Sequence, residues 1–445
     1  MDINKINPLV RRMAEDLMKA RTSLPLSSAV AAINYKLANL ASQIHIKIDT
    51  QSGFPPAPVN VYYLMLLKSG GGKNSSLTLI DKWYMKDAYK KIEDKIYPYY
   101  KRKALAKIEQ TNPDRILHNW SPAFNGGTPS GIMAYAETFH LCEFGSFNVE
   151  MDELGNTVIS RKEVLEELLS PYDNGDFRPV AKRTDSNALD IKGLPVNLFC
   201  LGNKVRLLDG DASEKQLITF LDEGYGRRMI FTDDDSVKNI KTKDDVLEEM
   251  RASQLIAEQS EDIRILLSSF IKSDNFNKVL VLDDEAMLEY ATIKAEGDNY
   301  VEESKVTLYP AVEADMRERH FKTAKLAGVY AFFDNSDTVK KEHIRQAFEV
   351  INESSMVLDK LRKVKNVHER LLDMLLWEKE PITEQHMLNS YSFINKTWTK
   401  KIKEYVELAK QLATQIGYEW IEDYRDGVVF YQAIDNSNKI RTEVF

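Results

Sequence analysis

Cysteine is almost absent from this chain, with two residues, Cys142 and Cys200, among 445. Two thiols cannot build a disulfide framework or a zinc site, and each reads as a small buried apolar residue. Long apolar runs are missing too. The longest nearly unbroken one, residues 59–67, falls far short of the ~20 residues a bilayer span needs. With no basic-then-apolar leader at the start, a cytoplasmic protein with no membrane partner is expected. Glycine and proline number only 19 and 14, beside 43% hydrophobic and 29% charged residues. That profile excludes a collagen-like, low-complexity or disordered chain. Neither sign of charge dominates: 60 basic residues face 68 acidic ones, a net charge of −8. This argues against wholesale coating of nucleic acid while leaving room for a local basic face. At ~150 residues per domain the length fits about three domains.

What is present is unevenly spread. Residues 1–226 hold 27 of the 33 glycines and prolines. The punctuated half reads as short strands and loops, the sparse half as long helices. Apolar residues recur at helical spacing over residues 9–18 and 29–41, with Ser27 and Ser28 as candidate caps for the second helix. The stretch Ser52-Gly53-Phe54-Pro55-Pro56-Ala57-Pro58 breaks any helix and reads as a linker. The apolar, β-rich run after it reads as a strand buried on both faces.

That strand runs into Lys68-Ser69-Gly70-Gly71-Gly72-Lys73-Asn74-Ser75-Ser76, followed by a helix-compatible stretch at 77–84. Strand, glycine loop, lysine and helix in this order can cradle the phosphates of a nucleotide. Gly70, Gly71 and Gly72, with Ser69 ahead of them, let backbone N–H groups turn toward the anion, and the helix N-terminus adds its positive dipole. Lys73 would reach the terminal phosphates of ATP, and Asn74 or Ser75 would contact Mg²⁺. The pattern departs from the common one at Leu67, where a leading glycine is usual, and at Asn74, where Ser or Thr is usual. A flexible surface loop is the competing reading.

Seventy-nine residues past Lys73, an apolar-alternating strand ends in Asp152-Glu153. Phosphoryl transfer to water needs one carboxylate near the metal and another to orient the nucleophile, roles that fit Asp152 and Glu153 respectively. Alone, Asp-Glu is a common surface dipeptide; its place after a phosphate loop gives it meaning. A third strand, residues 196–201, runs into Gly202-Asn203, where Asn203 would hold the attacking water or simply make a turn. In Gly224-Tyr225-Gly226-Arg227-Arg228, two glycines lift adjacent arginines into a loop. From there they would project toward a neighbouring subunit's phosphates, or form surface ion pairs with Asp222 or Glu223.

Taken in order, SGGGKN, Gly127-Thr128-Pro129-Ser130-Gly131-Ile132, the strand ending Asp-Glu-Leu-Gly, Leu201-Gly202-Asn203, Gly224-Tyr225-Gly226-Arg227-Arg228 and Lys325-Leu326-Ala327-Gly328-Val329-Tyr330-Ala331 resemble a P-loop ATPase. The type is the phage- and plasmid-borne one found beside primase modules and related to replicative DNA helicases. The resemblance covers roughly residues 30–355. It implies an α/β P-loop NTPase core, RecA/AAA+-like with a central mostly parallel sheet, and Arg227 or Arg228 acting across a ring interface. It also implies ATP and Mg²⁺ as cofactors, a homo-oligomeric ring such as a hexamer, and single-stranded or forked DNA as partner. Priming or polymerisation would come from a separate protein. The implied function is an ATP-dependent motor of phage DNA replication, a helicase. The alternative is a non-translocating ATP switch: an initiator, helicase loader or regulator.

The expected organisation is an N-terminal helical region (1–52), the ATPase core (53–240), a helical lid (241–360) and a C-terminal domain (361–445). In the lid, Arg317, Arg319, His320, Lys322 and Lys325 would sense nucleotide or, more simply, form an exposed charged face. In the last domain three helices, at 367–377, 381–391 and 398–416, precede two strands joined by Asp426-Gly427, a hairpin signal. Three helices and a hairpin make a winged helix-turn-helix, whose third helix enters the major groove. Residues 361–410 hold ten basic and seven acidic residues. Lys396, Lys400, Lys401 and Lys403 cluster where that third helix begins, ready for phosphates. The acidic hairpin (Glu419, Glu422, Asp423, Asp426) favours protein docking instead.

Overall fold

The apolar spacing near the start of the chain produces two helices. The first, α1 (Pro8–Ala20), is opened by Asn7, whose side-chain oxygen accepts from the N–H groups of Leu9 and Val10. The second, α2 (Leu26–Gln43), starts directly after Pro25 with no side-chain cap. Ser27 and Ser28 therefore lie inside its first turn and not at the expected cap. From Ser28 to Gln43 every residue of α2 is buried, as expected of a helix lined with Ala, Ile, Leu and Val that runs through a core.

A computed structural model defines these elements. It describes residues 1–67, 73–108, 116–125, 128–152, 154, 162–177, 190–203, 207–208, 212–233, 242–304, 308–362, 367–378, 380–391, 394 and 400–435; residues 73, 74, 162, 212, 362, 377 and 435 enter as backbone alone. The chain forms two compact units. One comprises Met1–Asn203, Thr219–Asp234 and Lys241–Leu361; the other Lys204–Ile218, Asp235–Ile240 and Arg362–Phe445.

In the first unit, β1 (Lys47–Asp49) pairs antiparallel with β2 (Ala57–Pro58), so the proline-rich stretch ends in a short strand. The run after it forms β3 (Tyr62–Leu66), every residue buried. With β4 (Phe147–Met151), β5 (Val196–Gly202) and β6 (Met229–Asp233) it makes a sheet of order β4-β5-β3-β6, parallel at every pairing. The helix after β3 is α3 (Lys73–Ile80), and the one before β4 is α4 (Pro129–Cys142), capped by Thr128. A short helix, α5 (Pro171–Asn174), follows the residues after β4. The unit is thus an α/β fold with a parallel sheet at its centre. Further along come α6 (Lys243–Gln259), α7 (Glu261–Phe270), α8 (Asp284–Glu303), α9 (Pro310–Phe333) and α10 (Lys341–Arg362). This helical stretch also contains β7 (Val279–Leu282) and β8 (Thr338–Val339), which join β1 and β2 in a second sheet, β2-β1-β7-β8.

A buried polar chain crosses the central sheet. Asn148 and Asn197 stand opposite each other on β4 and β5, and the Asn197 amide donates to the Asn148 side-chain oxygen at 2.8 Å. Asn148 in turn donates to Asn39 of α2 and to the Pro122 carbonyl, both at 2.9 Å. Asn197 accepts from the Val61 N–H at 2.9 Å, at the start of β3. One-residue slippage of any strand would leave these groups unpaired in the core, so the chain fixes register. Leaving a buried polar group unpaired costs about 1–3 kcal/mol. Asn148→Leu removes the centre of the chain and should lower the thermal unfolding midpoint by on the order of 2–5 °C. An unchanged midpoint would show that the network does not hold the sheet.

The second unit contains α11 (Val367–Trp377), β9 (Ile382–Thr383), α12 (Glu384–Ser390), α13 (Lys401–Gln415), β10 (Tyr418–Arg425) and β11 (Val428–Asp435). Thr383 caps α12 by accepting from the His386 N–H. The expected hairpin is present, closed by Asp426 and Gly427 at positive φ, and β9 adds a third antiparallel strand to it. The three helices and the sheet share one core that includes Leu371, Leu375, Met387, Ile402, Val406 and Tyr431. Arg370 reaches Glu214 through both terminal nitrogens, at 2.7 and 2.9 Å.

Candidate functional site at the carboxyl edge of the parallel sheet

Parallel strands deliver their following loops to one edge, where open α/β sheets bind ligands. Leu66 of β3 lies opposite Gly202 of β5 and Asp233 of β6, and Met151 of β4 lies opposite Cys200. The Leu67 N–H donates to the Gly202 carbonyl at 3.1 Å. The chain therefore leaves β3, β4 and β5 toward Leu67, Asp152 and Asn203 at one edge. The described chain resumes with the backbone of Lys73 and Asn74, which opens α3. Asp152 is exposed, while Asn203 and Ser75 are half-buried. Ser69, Gly70, Gly71, Gly72, Glu153 and Lys396, together with Gly127 and Gly155 of the quoted motifs, lie outside the described residues. Among the described residues no group of three or more His, Cys, Asp or Glu could hold a metal ion.

Three residues at this edge escaped the motif reading. Lys36 is the sole charged residue of α2, and a single charge in an apolar helix is the signal that could have found it. Its ammonium stands 2.7 Å from Asp81, just past α3, and 2.8 Å from Glu150 of β4. It ties the helix after the loop to the strand that delivers Asp152. Burial opposes the lysine's charge, but the two carboxylates outweigh it and raise its pKa; burial likewise raises that of Asp81. Arg21, following α1, donates from Nε to the Ser75 hydroxyl at 3.3 Å. Asp233, the last residue of β6, is a buried carboxylate at the same edge; an acid ending the apolar run Met229–Asp233 was its signal.

Arg227 and Arg228 are not brought to this edge. They precede β6, whose first residue, Met229, lies opposite Tyr62, the first of β3. Five residues of strand separate the two edges, about 16 Å, farther than an arginine side chain reaches. The expectation that both project outward also needs correction. Arg228 is 7% exposed, donating to the Gly224 carbonyl at 3.1 Å and to Asp173 of α5 at 2.8 Å. Gly224 has φ +118°, and a Cβ there would sit 2.9 Å from the Arg228 guanidinium. The glycine therefore admits the arginine to the interior. Arg227 keeps a one-third exposed side chain and long ion pairs to Asp173 and Glu318, at 3.7 and 3.8 Å. The partners are thus Asp173 and Glu318, not Asp222 or Glu223; Asp222 accepts from the Ala311 N–H.

The charged residues of α9 also differ from expectation. Of the five basic candidates, Arg317 is the one that faces solvent, paired with Glu302 and Glu313. Arg319, His320, Lys322 and Lys325 are buried, because α9 packs against both sheets. Lys322 pairs with Asp315 and donates to the Met229 carbonyl, while Lys325 donates to Asn60 at 2.7 Å and to the Tyr172 carbonyl at 2.6 Å. Burial drives the Lys325 pKa down to about 7. Both lysines sit at the amino edge, so they brace the fold away from Leu67, Asp152 and Asn203.

In the second unit Lys400, Lys401 and Lys403 are exposed at the start of α13, but so are Glu404 and Glu407 one turn on. Lys410 pairs with Glu422 of the hairpin at 2.9 Å, and Arg425 pairs with Asp423 at 2.6 Å.

Among the described residues no helix is long and apolar enough to cross a membrane. Compared with models of known protein families and with curated protein sequences, the chain matches none.

Proposed function

We propose that the first unit is a P-loop ATPase core that binds ATP at the carboxyl edge of its parallel sheet, and that the whole chain is a DNA-stimulated motor of the helicase type. The observation that carries this reading is the strand order. β5, which is followed by Asn203, lies between β3, which precedes the glycine loop, and β4, which is followed by Asp152. The Lys73 backbone, Asp152 and Asn203 thus share one edge, which supports a site with the lysine, carboxylate and asparagine that phosphoryl transfer to water uses. Mg²⁺ takes oxygen donors and keeps several waters. The Ser75 hydroxyl and the exposed Asp152 carboxylate are donors of that kind, and Asn74 is the alternative to Ser75. Held there, Mg²⁺ would supply positive charge that neutralises the phosphates. Glu153 would orient the attacking water, and Asn203 would hold it.

An arginine at the opposite edge can serve only a neighbouring chain's nucleotide, so this reading includes an oligomer. In the second unit, the order of three helices and a three-stranded antiparallel sheet supports a winged helix, with Lys396, Lys400, Lys401 and Lys403 toward DNA phosphates. A non-translocating ATP switch is the second reading; Glu404 and Glu407 on the exposed side of α13 favour it, since they oppose a DNA backbone. Steady-state ATP hydrolysis by the purified chain, with and without single-stranded DNA, separates the two. The motor gives hydrolysis that DNA accelerates. Hydrolysis indifferent to DNA leaves the switch, and no hydrolysis in either condition removes both.

A further inference from the structure

We propose that Arg21 is a phosphate-binding residue of the nucleotide site, supplied by the same chain from the turn between its first two helices. The inference rests on the ATP-binding reading and adds a residue that no motif contains.

Arg21 ends α1, with φ −144° and ψ 75° turning the chain out of the helix. Its guanidinium is half-buried and donates twice: Nη1 to the Ala20 carbonyl at 3.0 Å, and Nε to the Ser75 hydroxyl at 3.3 Å. Ser75 lies two positions past Lys73, in the first turn of α3. Among the described residues the guanidinium meets no carboxylate. The acids nearby are engaged elsewhere: Asp16 with Lys19 and the Tyr84 hydroxyl, Asp262 with Arg12, and Glu249 with the N–H and hydroxyl of Thr22. Among the described residues Nη2 has no hydrogen-bond partner, on a cation fixed by two bonds to its own chain at the start of the helix after the loop.

Anionic ligands suit that arrangement. Guanidinium presents a planar fork that matches phosphate oxygens, and it stays charged at any physiological pH. The first turn of α3 adds N–H groups and a positive dipole in the same place. Arg21 approaches that turn from the side of α1. The Ser75 hydroxyl holds the fork in position before ligand arrives.

The test is displacement of a fluorescent ATP analogue from the full-length protein, in Mg²⁺, by ATP, inorganic tripolyphosphate and adenosine. Wild type, Arg21→Ala, Arg21→Lys and Lys73→Ala are compared. Losing hydrogen bonds to a charged group should weaken ATP and tripolyphosphate about 10- to 100-fold in Arg21→Ala. Adenosine, which carries no phosphate, should be unaffected, and Arg21→Lys should fall between. Wild-type affinity in Arg21→Ala would overturn the proposal, as would an equal loss for adenosine, which would mark a change of pocket shape. If Lys73→Ala is impaired and Arg21→Ala is not, the ATP site stands and Arg21 falls. If wild type binds no nucleotide, the ATP reading itself fails.

Discussion

Lys73→Ala should abolish ATP hydrolysis and weaken ATP binding. The lysine opens α3 immediately after the three glycines, where an ammonium can meet the terminal phosphates as charge develops on them. Electrostatic stabilisation of this kind is usually the largest single contribution to catalysis, and removing one donor costs about 10²–10³ in rate. Loss of a full positive charge beside a polyphosphate should exceed that. Because Lys36, Asp81 and Glu150 pair with one another, the variant should fold with an unchanged unfolding midpoint. A normal hydrolysis rate in Lys73→Ala would refute the phosphate-loop assignment.

The second large effect separates the two adjacent arginines. Arg227→Ala should lose hydrolysis by ~10³-fold or more, as loss of an arginine finger does, and leave stability unchanged. Its long ion pairs are half exposed, and pairs of that kind contribute little. Arg228→Ala should do the reverse in kind, lowering stability by about 1–3 kcal/mol. It strips the Gly224 carbonyl and Asp173 of a buried donor. Mixed with Lys73→Ala under conditions that let subunits exchange, Arg227→Ala should regain part of its activity, because some interfaces then pair an intact loop with an intact finger. Full activity in Arg227→Ala, or hydrolysis by a demonstrably monomeric wild type, would rule out action between subunits.

Local pattern made much of this architecture legible. The run before the glycines is a buried strand because every residue from Tyr62 to Leu66 is apolar or aromatic, and Asp426-Gly427 closes the expected hairpin because both residues sit at positive φ. Pairing over long distances was not legible. Nothing near Lys325 in sequence announces Asn60 or Tyr172, so a lysine on a helix reads as exposed when it is buried. Arg228 reads as a projecting side chain because Gly224 looks like mere flexibility; in the fold that glycine is the space the guanidinium occupies. Lys36 and Arg21 belong to helices before the loop, and only tertiary packing brings them to it. The strands β7 and β8 are two to four residues long inside helical sequence; β7 exists because β1 offers an edge to pair with, and β8 because β7 offers one in turn.

Hydrogen–deuterium exchange of the full-length protein with and without ATP and Mg²⁺ tests the central claim most directly, since it locates the ligand on the fold. The account predicts that ATP slows exchange at the carboxyl edge: in peptides covering residues 67–80, those around Asp152, and those around Asn203. ATP-dependent protection absent from all three, or confined to residues at the amino edge such as 58–62, would contradict it.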